Sequence, residues 1–455
     1  MGLFDPLKVA VQKWLGIGIT ADKASDSVET VRSYRVGKQP RQIKVKVGSY
    51  DDNVYLNIIG LIIDRWVSLL IGSGVTFDFG DDETAKAYVD EVWAVNKGEW
   101  LMNQAVMLAV EAGTGYFKII PNGITTRDGR PLPRIVAIDP TLIRIITAPD
   151  DMGYVKGYVI EYEIPTTVNG IVQTLYKREV TERNETGAWE VVQYEKVGDR
   201  GQWVETDRAV WGWAFPPILH WQNNPNPSSV YGEPDITDSV LILQDKINFV
   251  ASNIAKIIRN QAHQRIWGKN IGTTEKVDWG VDQMFKFSGD GVGDAGIGAI
   301  DANGDLSASQ QFLRLLRQFA FDMTRTVDID SLQDKLGSLT NFGLRVLYQD
   351  CLAKLETKRG LFGDALEEMN YRLLAIANMA AEDGGEVVFP EALPQSETEE
   401  AAAITSDIAN GLVSRQTASE KRGYVWADEQ ERIQAEAAAT DNIGAALLQA
   451  FDRGE

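Results

Sequence analysis

The chain has 455 residues, 44% of them apolar and 24% charged, with a formal net charge of −20; this allows roughly two to four domains and is ordinary for a globular composition. Its one cysteine, Cys351, excludes an internal disulfide, and its two histidines, His220 and His263, exclude a His-rich metal site. The acidic balance argues against tight wrapping of duplex DNA, whose non-specific affinity comes from neutralised phosphates, and the apolar runs, such as 58–63 and 240–243, fall well short of the ~20 residues of a membrane span.

Residues 1–50 read as an amphipathic start and then a polar arm. The start has no signal-peptide pattern, and Pro6 stands where a myristoylation motif needs Ser or Thr. Between Val31 and Val47 there are six basic residues (Arg32, Arg35, Lys38, Arg41, Lys44, Lys46) and no acidic one. That run fits a solvated or subunit-contacting arm, with docking of an acidic partner or DNA as the alternative. From Asp51 to Gly72 the spacing of Val54, Ile58, Leu61, Ile62 and Leu69 predicts a helix stopped by Gly72-Ser73-Gly74. A short strand (75–79) and two helices (81–113) follow.

From Gly115 to Trp221 the period changes to two. Strands are expected at 116–120, 134–138, 142–146, 155–162, 172–180, 189–197 and 218–221, with turn signals such as Asn122-Gly123 and Asn169-Gly170 between them. This is an antiparallel region with Asp139 as a turn starter and His220 as a satisfied sheet residue. Pro234 and Asp235 then open a long helix. Its apolar residues Ile236, Val240, Leu243, Ile247, Val250, Ile254 and Ile257 are spaced four, three, four, three, four, three. That seven-residue rhythm is a seam for packing against another helix. After Trp267 the chain turns polar and Gly-rich, with a strand at Met284, Phe285, Lys286 and Phe287. A second helix carries Phe312, Leu315, Leu316, Phe319 and Met323 on one face. Residues 328–343 break it. A third helix carries Leu347, Cys351, Leu355, Phe362, Leu366, Met369, Leu373 and Ile376, and a strand (386–389) and Ala/Glu-rich helices close the chain. From Glu382 onward there are sixteen acidic and five basic residues.

No motif points to catalysis. WGKNIGTT lacks the upstream glycine and the Ser or Thr after Lys of a phosphate loop. GDGVGDAGIG (289–298) leads into polar loop rather than a helix. Asp301, Asn303 and Asp305 alternate as in a calcium loop, but Phe312 stands where the bidentate acid belongs. Neither histidine is near a Gly-x-Ser-x-Gly elbow. The expectation is a non-enzyme with no cofactor and no metal.

The order of parts resembles the portal (head-to-tail connector) proteins of tailed bacteriophages. The resemblance is carried by VAIDPTLIRIIT (136–147), by NNPNPSSVYGEPDITDSVLILQDKINFVASNIAKIIRNQAHQRIWG (223–268) with Gln244, Asp245 and Asn248, by SLTNFGLRVLYQDCLAKLETKRGLFGDALEEMNYRLL (338–374), and by GLVSRQTASEKRGY (411–424). It implies an α+β, portal-like fold with long stem helices, an α/β wing, a small clip insertion and a helical crown. The parts would be an N-terminal arm (1–50), the wing (51–232), stem helices (233–265 and 309–327) around the clip (266–308), a tunnel loop (328–343), a long wing/crown helix (344–383), and the crown and tail (384–455). The resemblance further implies a homo-oligomeric ring, usually of about twelve subunits, at one capsid vertex of the virion, assembled in the host cytoplasm. Double-stranded DNA would pass through it without sequence specificity. A terminase motor and later a neck adaptor would dock on the clip, including Met284, Phe285, Lys286 and Phe287, and major capsid and scaffold proteins would meet the wing. Lys335, Gly337, Ser338, Leu339, Thr340 and Asn341 would form the loop toward DNA. Lys335 is its only cation, against Asp328, Asp330 and Asp334, so it would touch DNA without holding it. The seven seam residues would pack neighbouring stems. The alternative is a non-channel helical scaffold or capsid-assembly protein.

Overall fold

The computed structural model describes residues 20–45, 50–151, 153–168, 171–262, 265–269, 285–287, 296–300, 306–328, 341–379, 383–393 and 397–435. Contacts divide the chain into two units, residues 1–338 with 345–392, and residues 339–344 with 393–455.

The first unit begins with helix α1 (Thr20–Arg35), which replaces the first part of the expected arm. Helix α2 (Ile58–Ile71) buries Ile59, Ile62, Ile63, Trp66, Leu70 and Ile71, so it is a core helix apolar over most of its circumference. It starts seven residues later than its pattern predicts. Asn57 caps it by accepting from the Gly60 amide at 3.1 Å, and residues 51–57 are not helical because a later helix captures their amides, as described below. Strand β1 (Thr76–Asp78), helix α3 (Glu83–Val95) and helix α4 (Gly98–Ala112) follow.

The period-two region folds into two sheets rather than one. Strands β2 (Thr114–Thr125) and β3 (Pro131–Ala137) belong to the first. Strands β4 (Ile143–Thr147), β5 (Val155–Val168), β6 (Ile171–Arg183), β7 (Trp189–Val197) and β8 (Val204–Val210) form the second, an antiparallel sheet in sequence order. Strand β9 (Ile218–Gln222) returns to the first sheet, giving the order β3-β2-β9. Tyr116, Ile138, Ile143, Tyr158, Ile160 and Ile218 fill a small core spanning the two, and Lys118 donates to Glu179 across them. Strand β8 escaped the pattern because all seven of its residues are exposed, and an edge strand with no buried face shows no alternation. His220 is held as expected. Its Nδ1 lies 2.9 Å from the Tyr158 hydroxyl, and burial with the nearby Arg372 charge pulls its pKa down to about 4, so the ring is neutral at ordinary pH.

Helix α5 (Asp238–Ala262) is about 37 Å long at 1.5 Å per residue. Strands β10 (Arg265–Lys269), β11 (Phe285–Phe287) and β12 (Gly296–Ile300) make a small sheet in which β10 pairs parallel with β11 and antiparallel with β12. Helices α6 (Ser307–Thr324), α7 (Asn341–Leu347) and α8 (Gln349–Ile376) complete the helical part, and β13 (Glu386–Val388) pairs antiparallel with β1. In the core Trp221 stacks on Phe117 with centroids 4.9 Å apart and meets Phe362 at 5.3 Å.

Helix α5 and the extended segment 51–57 are matched in length scale. On the buried side of α5, Gln244, Asn248 and Ser252 recur every four residues, a rise of about 6 Å. Alternate amides of an extended chain advance about 6.6 Å. The amides of Ile58, Leu56 and Val54 donate in turn to Gln244 Oε1 (3.2 Å), Asn248 Oδ1 (2.9 Å) and Ser252 Oγ (2.9 Å). Gln244 Nε2 also donates to Asn248 Oδ1 at 3.0 Å, and Arg259 closes the ladder on Asp52 at 2.6 and 2.7 Å. Asn248 sits at its centre and is fully buried. Replacing it with Leu would leave the Leu56 amide and the Gln244 amide group without this acceptor, at about 1–3 kcal/mol for each buried group left unpaired. Asn248→Leu is therefore expected to lower the urea midpoint and to expose the Leu56 amide to hydrogen exchange, and unchanged protection at Leu56 would refute the ladder.

In the second unit, α9 (Glu397–Ala409) and α10 (Arg415–Lys421) are followed by a helical stretch at 426–435. Ser414 caps α10 by accepting from the Thr417 amide at 3.1 Å, a usual role for serine at that position.

Candidate functional site

Helix α5 does not begin at Pro234. The chain just before it is fastened to the end of α4 by a crossing of two glycines. A Cβ on Gly113, whose φ is +89°, would lie 2.4 Å from the Gly232 carbonyl oxygen, and one on Gly232 would lie 2.3 Å from that of Gly113. Only glycine permits that approach. The Asp235 amide then donates to the Val110 carbonyl at 3.1 Å, so residues 233–237 follow α4 instead of extending the helix.

This crossing places Asp235 in a buried ionic cluster. Its carboxylate has no exposed side-chain surface and receives the Lys354 ammonium at 2.5 Å and the Lys358 ammonium at 2.6 Å. Asn223, just after β9, donates to it at 2.8 Å and accepts from Lys358 at 2.6 Å. Both ammonium groups lie over the Trp66 ring, 4.7 and 4.9 Å from its centroid, a cation–π arrangement. Lys354 also donates to the Thr324 carbonyl at the end of α6 at 3.3 Å. One side chain on α8 thus touches the segment that leads into α5 and the end of α6. The chain leaving α6 is held further by Arg65, which donates to the Val327 carbonyl at 2.6 Å, and by the Arg317–Asp328 pair at 2.8 Å. Two cations share one carboxylate in a dry site. Burial pulls Lys358 down to about 8 against the opposing pull of Asp235. Asp235 feels burial the other way, but the two ammonium groups hold it below the usual carboxylate range.

The basic run is partly spent inside the chain. Arg32 donates to both oxygens of Asp139 (2.8 and 2.9 Å) and to the buried Glu111 (2.9 Å), and Arg35 donates to Glu111 at 3.1 Å. Those two arginines pin α1 to α4 and to the turn after β3, so they do not belong to a free polar arm. Asp139 is the expected turn starter and also accepts from the Thr141 amide at 2.9 Å.

The seven-residue seam is divided by the fold. Ile236, Val240 and Ile247 lie in the chain's own core, Ile247 with no exposed surface. Leu243 and Val250 pack partly against that core, Ile254 is half-buried and Ile257 is exposed. The first three are therefore not available to a neighbouring subunit. The rhythm is that of a helix packed against the core of its own chain, and periodicity does not distinguish an internal partner from an external one.

The apolar surface left uncovered lies elsewhere. On α6 only Leu316 of the expected face is buried, while Phe312, Leu315, Phe319 and Met323 are exposed, Met323 by 51%. On α5, Ile242 is 62% exposed and Phe249 43%. Ser239, Ile242, Leu243 and Lys246 of α5 and Phe319, Asp322 and Met323 of α6 line a shallow, mostly apolar groove between the helices. Contiguous exposed apolar surface of this kind marks an interaction site.

Of the other expected site residues, Phe285, Lys286 and Phe287 form β11, and Met284 lies outside the described residues. Lys335, Gly337, Ser338, Leu339 and Thr340 also lie outside them, whereas Asn341 opens α7, so the expected loop ends before 343. Among the described residues no cluster of His, Cys, Asp or Glu can hold a metal, and no helix is long and apolar enough to cross a membrane. Sequence reading missed Asp235, Lys354 and Lys358 as a unit. The available signal was Lys358 itself, which interrupts the apolar stripe Cys351, Leu355, Phe362, Leu366 at a core position and is buried there.

The family description "Phage portal protein, SPP1 Gp6-like" matches residues 35–442. No curated protein matches the chain in sequence. Among solved structures, "Neck of empty GTA particle computed with C6 symmetry" is 13% identical with a TM-score of 0.47, covering 81% of this chain and 90% of that one. "Neck of native GTA particle computed with C12 symmetry" gives 13% and 0.45 over the same shares. With the family description spanning nearly the whole chain, and an α+β architecture matching it, this protein belongs to the SPP1 Gp6-like family of phage portal proteins.

Proposed function

We propose that the chain assembles into a homo-oligomeric ring of about twelve copies at one capsid vertex. DNA would be driven through the ring by a terminase motor during packaging and would leave by the same route, with head-completion or neck proteins attached. In this reading α5 and α6 are the stem and residues 266–308, with β10, β11 and β12, are the clip for motor and neck. Residues 328–340 are the part of the expected loop (328–343) that reaches toward DNA, the two sheets and surrounding helices are the wing facing capsid and scaffold proteins, and residues 384–455 are the crown and tail. The observation that carries it is the uncovered apolar face of Ile242, Phe249, Phe312, Leu315, Phe319 and Met323. In a ring, such a face would be covered by the next subunit. The test is native mass spectrometry of the purified chain with electron-microscope images of the same sample. A species near twelve times the 50.4 kDa chain with a central hole is expected. A monomer in every buffer, with and without scaffold protein, would refute autonomous ring formation.

A further inference from the structure

The ionic cluster ahead of α5 holds an amine, a primary amide and a carboxylate in a closed triangle. The Lys358 ammonium donates to Asn223 Oδ1 and to Asp235 Oδ2, both at 2.6 Å. The Asn223 side-chain nitrogen donates to the same Asp235 oxygen at 2.8 Å. Asn223 is held in place by a second donation, to the Glu233 carbonyl at 3.2 Å, and by its backbone amide, which donates to the Gly113 carbonyl at 2.8 Å. All three residues are buried, Lys358 with 2% exposure and Asn223 and Asp235 with 4% each. Lys354 and Lys358 bring two positive charges to the Asp235 carboxylate, which leaves the cluster with an excess cation. An unmatched charge in a dry site is costly.

We propose that this triangle is a self-modifying site, in which the Lys358 amine attacks the side-chain carbonyl carbon of Asn223 and forms an intramolecular isopeptide bond with release of ammonia. Asp235 acts as general base. It takes a proton from Lys358 Nζ, and the freed lone pair adds to Asn223 Cγ. Its Oδ2 touches both nitrogens, so it can pass protons from Nζ to Asn223 Nδ2. The Cγ–Nδ2 bond then breaks with its electron pair on nitrogen. The leaving nitrogen keeps its two hydrogens, gains two protons from Nζ and departs as ammonium. Nζ keeps one hydrogen in the new secondary amide, and no oxidant, reductant or other co-reactant is consumed. The excess positive charge leaves with the ammonium, and Lys354 remains paired one-to-one with Asp235. A buried lysine is the activated nucleophile such a step requires. Burial draws Lys358 down to about 8, and the charged groups facing it are Asp235, ahead of α5, and Lys354, one turn earlier on α8. Exclusion of water protects the side-chain amide from hydrolysis. The ions are the reactant state, and stability measured before the bond forms reports that state. The bond joins positions 135 apart in sequence and closes a covalent loop containing α5, the small sheet and α6. Such a closure restricts the unfolded chain as a disulfide does. The reaction occurs within one chain and is independent of ring formation.

The test is the denatured intact mass of the full chain, taken on purification and through several days at about pH 6, 7 and 9. The wild type is expected to become about 17 Da lighter, the mass of one ammonia, and Lys358→Met to keep its full mass. The loss should be about tenfold faster at pH 7 than at pH 6, because the free amine is the nucleophile, and should level off above about 8. After trypsin, residues 209–246 should be joined to residues 355–359, with fragment ions placing the branch on Asn223. A wild-type chain that keeps its full mass through the most alkaline incubation overturns the proposal. So does a loss of about 18 Da with the branch on Asp235, which would make that carboxylate the acyl group. A loss of about 17 Da that persists in Lys358→Met would be ring closure at an asparagine without the lysine, and overturns it as well.

Discussion

Asp235→Asn is expected to destabilise the first unit by on the order of 3–5 kcal/mol, and Lys358→Met by much less. Asparagine keeps the shape of the side chain but removes the carboxylate that two ammonium groups face at 2.5 and 2.6 Å. Two cations would then share a dry site with no counter-charge. Lys358→Met leaves Asp235 paired with Lys354 one-to-one, at the expense of the Asn223 contact. Urea unfolding followed by tryptophan fluorescence, with Trp66 beside both ammonium groups, measures the difference, and equal losses would show that the cluster is not charge-balanced as described. The pH dependence has a defined sign. In the unfolded chain Lys358 keeps its proton up to its ordinary value of 10.5, whereas in the fold burial lets it go near 8. Between those values the unfolded state binds more protons, so wild-type stability should rise with pH relative to Lys358→Met. A difference between the two proteins that stays flat from pH 7.5 to 10 would remove the assignment. The lowered Asp235 acts at the other end, contributing stability above the ordinary carboxylate range that is lost as acid protonates it.

The positions where sequence reading succeeded and failed follow from what periodicity can report. The stripe of Cys351, Leu355, Phe362, Leu366, Met369 and Leu373 gave α8 and its buried face directly. The order of strands was also legible, because half-buried strands alternate. Three things were not. Residues 51–57 share helical spacing with α2, but the amides of Val54, Leu56 and the adjoining Ile58 are taken by Ser252, Asn248 and Gln244, partners nearly 200 positions away. Strand β8 has no buried face to impose a pattern. The seam on α5 was legible as a packing stripe but not as an internal one. Gln244, Asn248 and Ser252, polar yet buried, were the clue that this face meets the chain's own backbone. An inter-subunit stripe has no reason to carry three hydrogen-bonding side chains at four-residue intervals.

Phe319→Asp combined with Met323→Asp is expected to abolish the ring and leave a folded chain at monomer mass. Ile247→Asp is expected to unfold the first unit instead. Ile247 has no exposed surface, so a carboxylate there enters the chain's own core. Phe319 and Met323 are about half exposed in the single chain, and charging them leaves that core intact. In a ring, however, they would be covered by the next copy. Each such side chain contributes about 1.5–3 kcal/mol when fully buried, and replacing both removes that and adds two desolvated carboxylates. A head-to-tail ring repeats the same contact at every interface, so the loss recurs around the circle and the assembly equilibrium collapses steeply. Native mass and far-UV circular dichroism of the two variants separate the outcomes. Intact rings in Phe319→Asp/Met323→Asp would show that the uncovered face of α5 and α6 is not what joins the subunits. Soluble, folded Ile247→Asp monomers would show that the seam faces a neighbour after all.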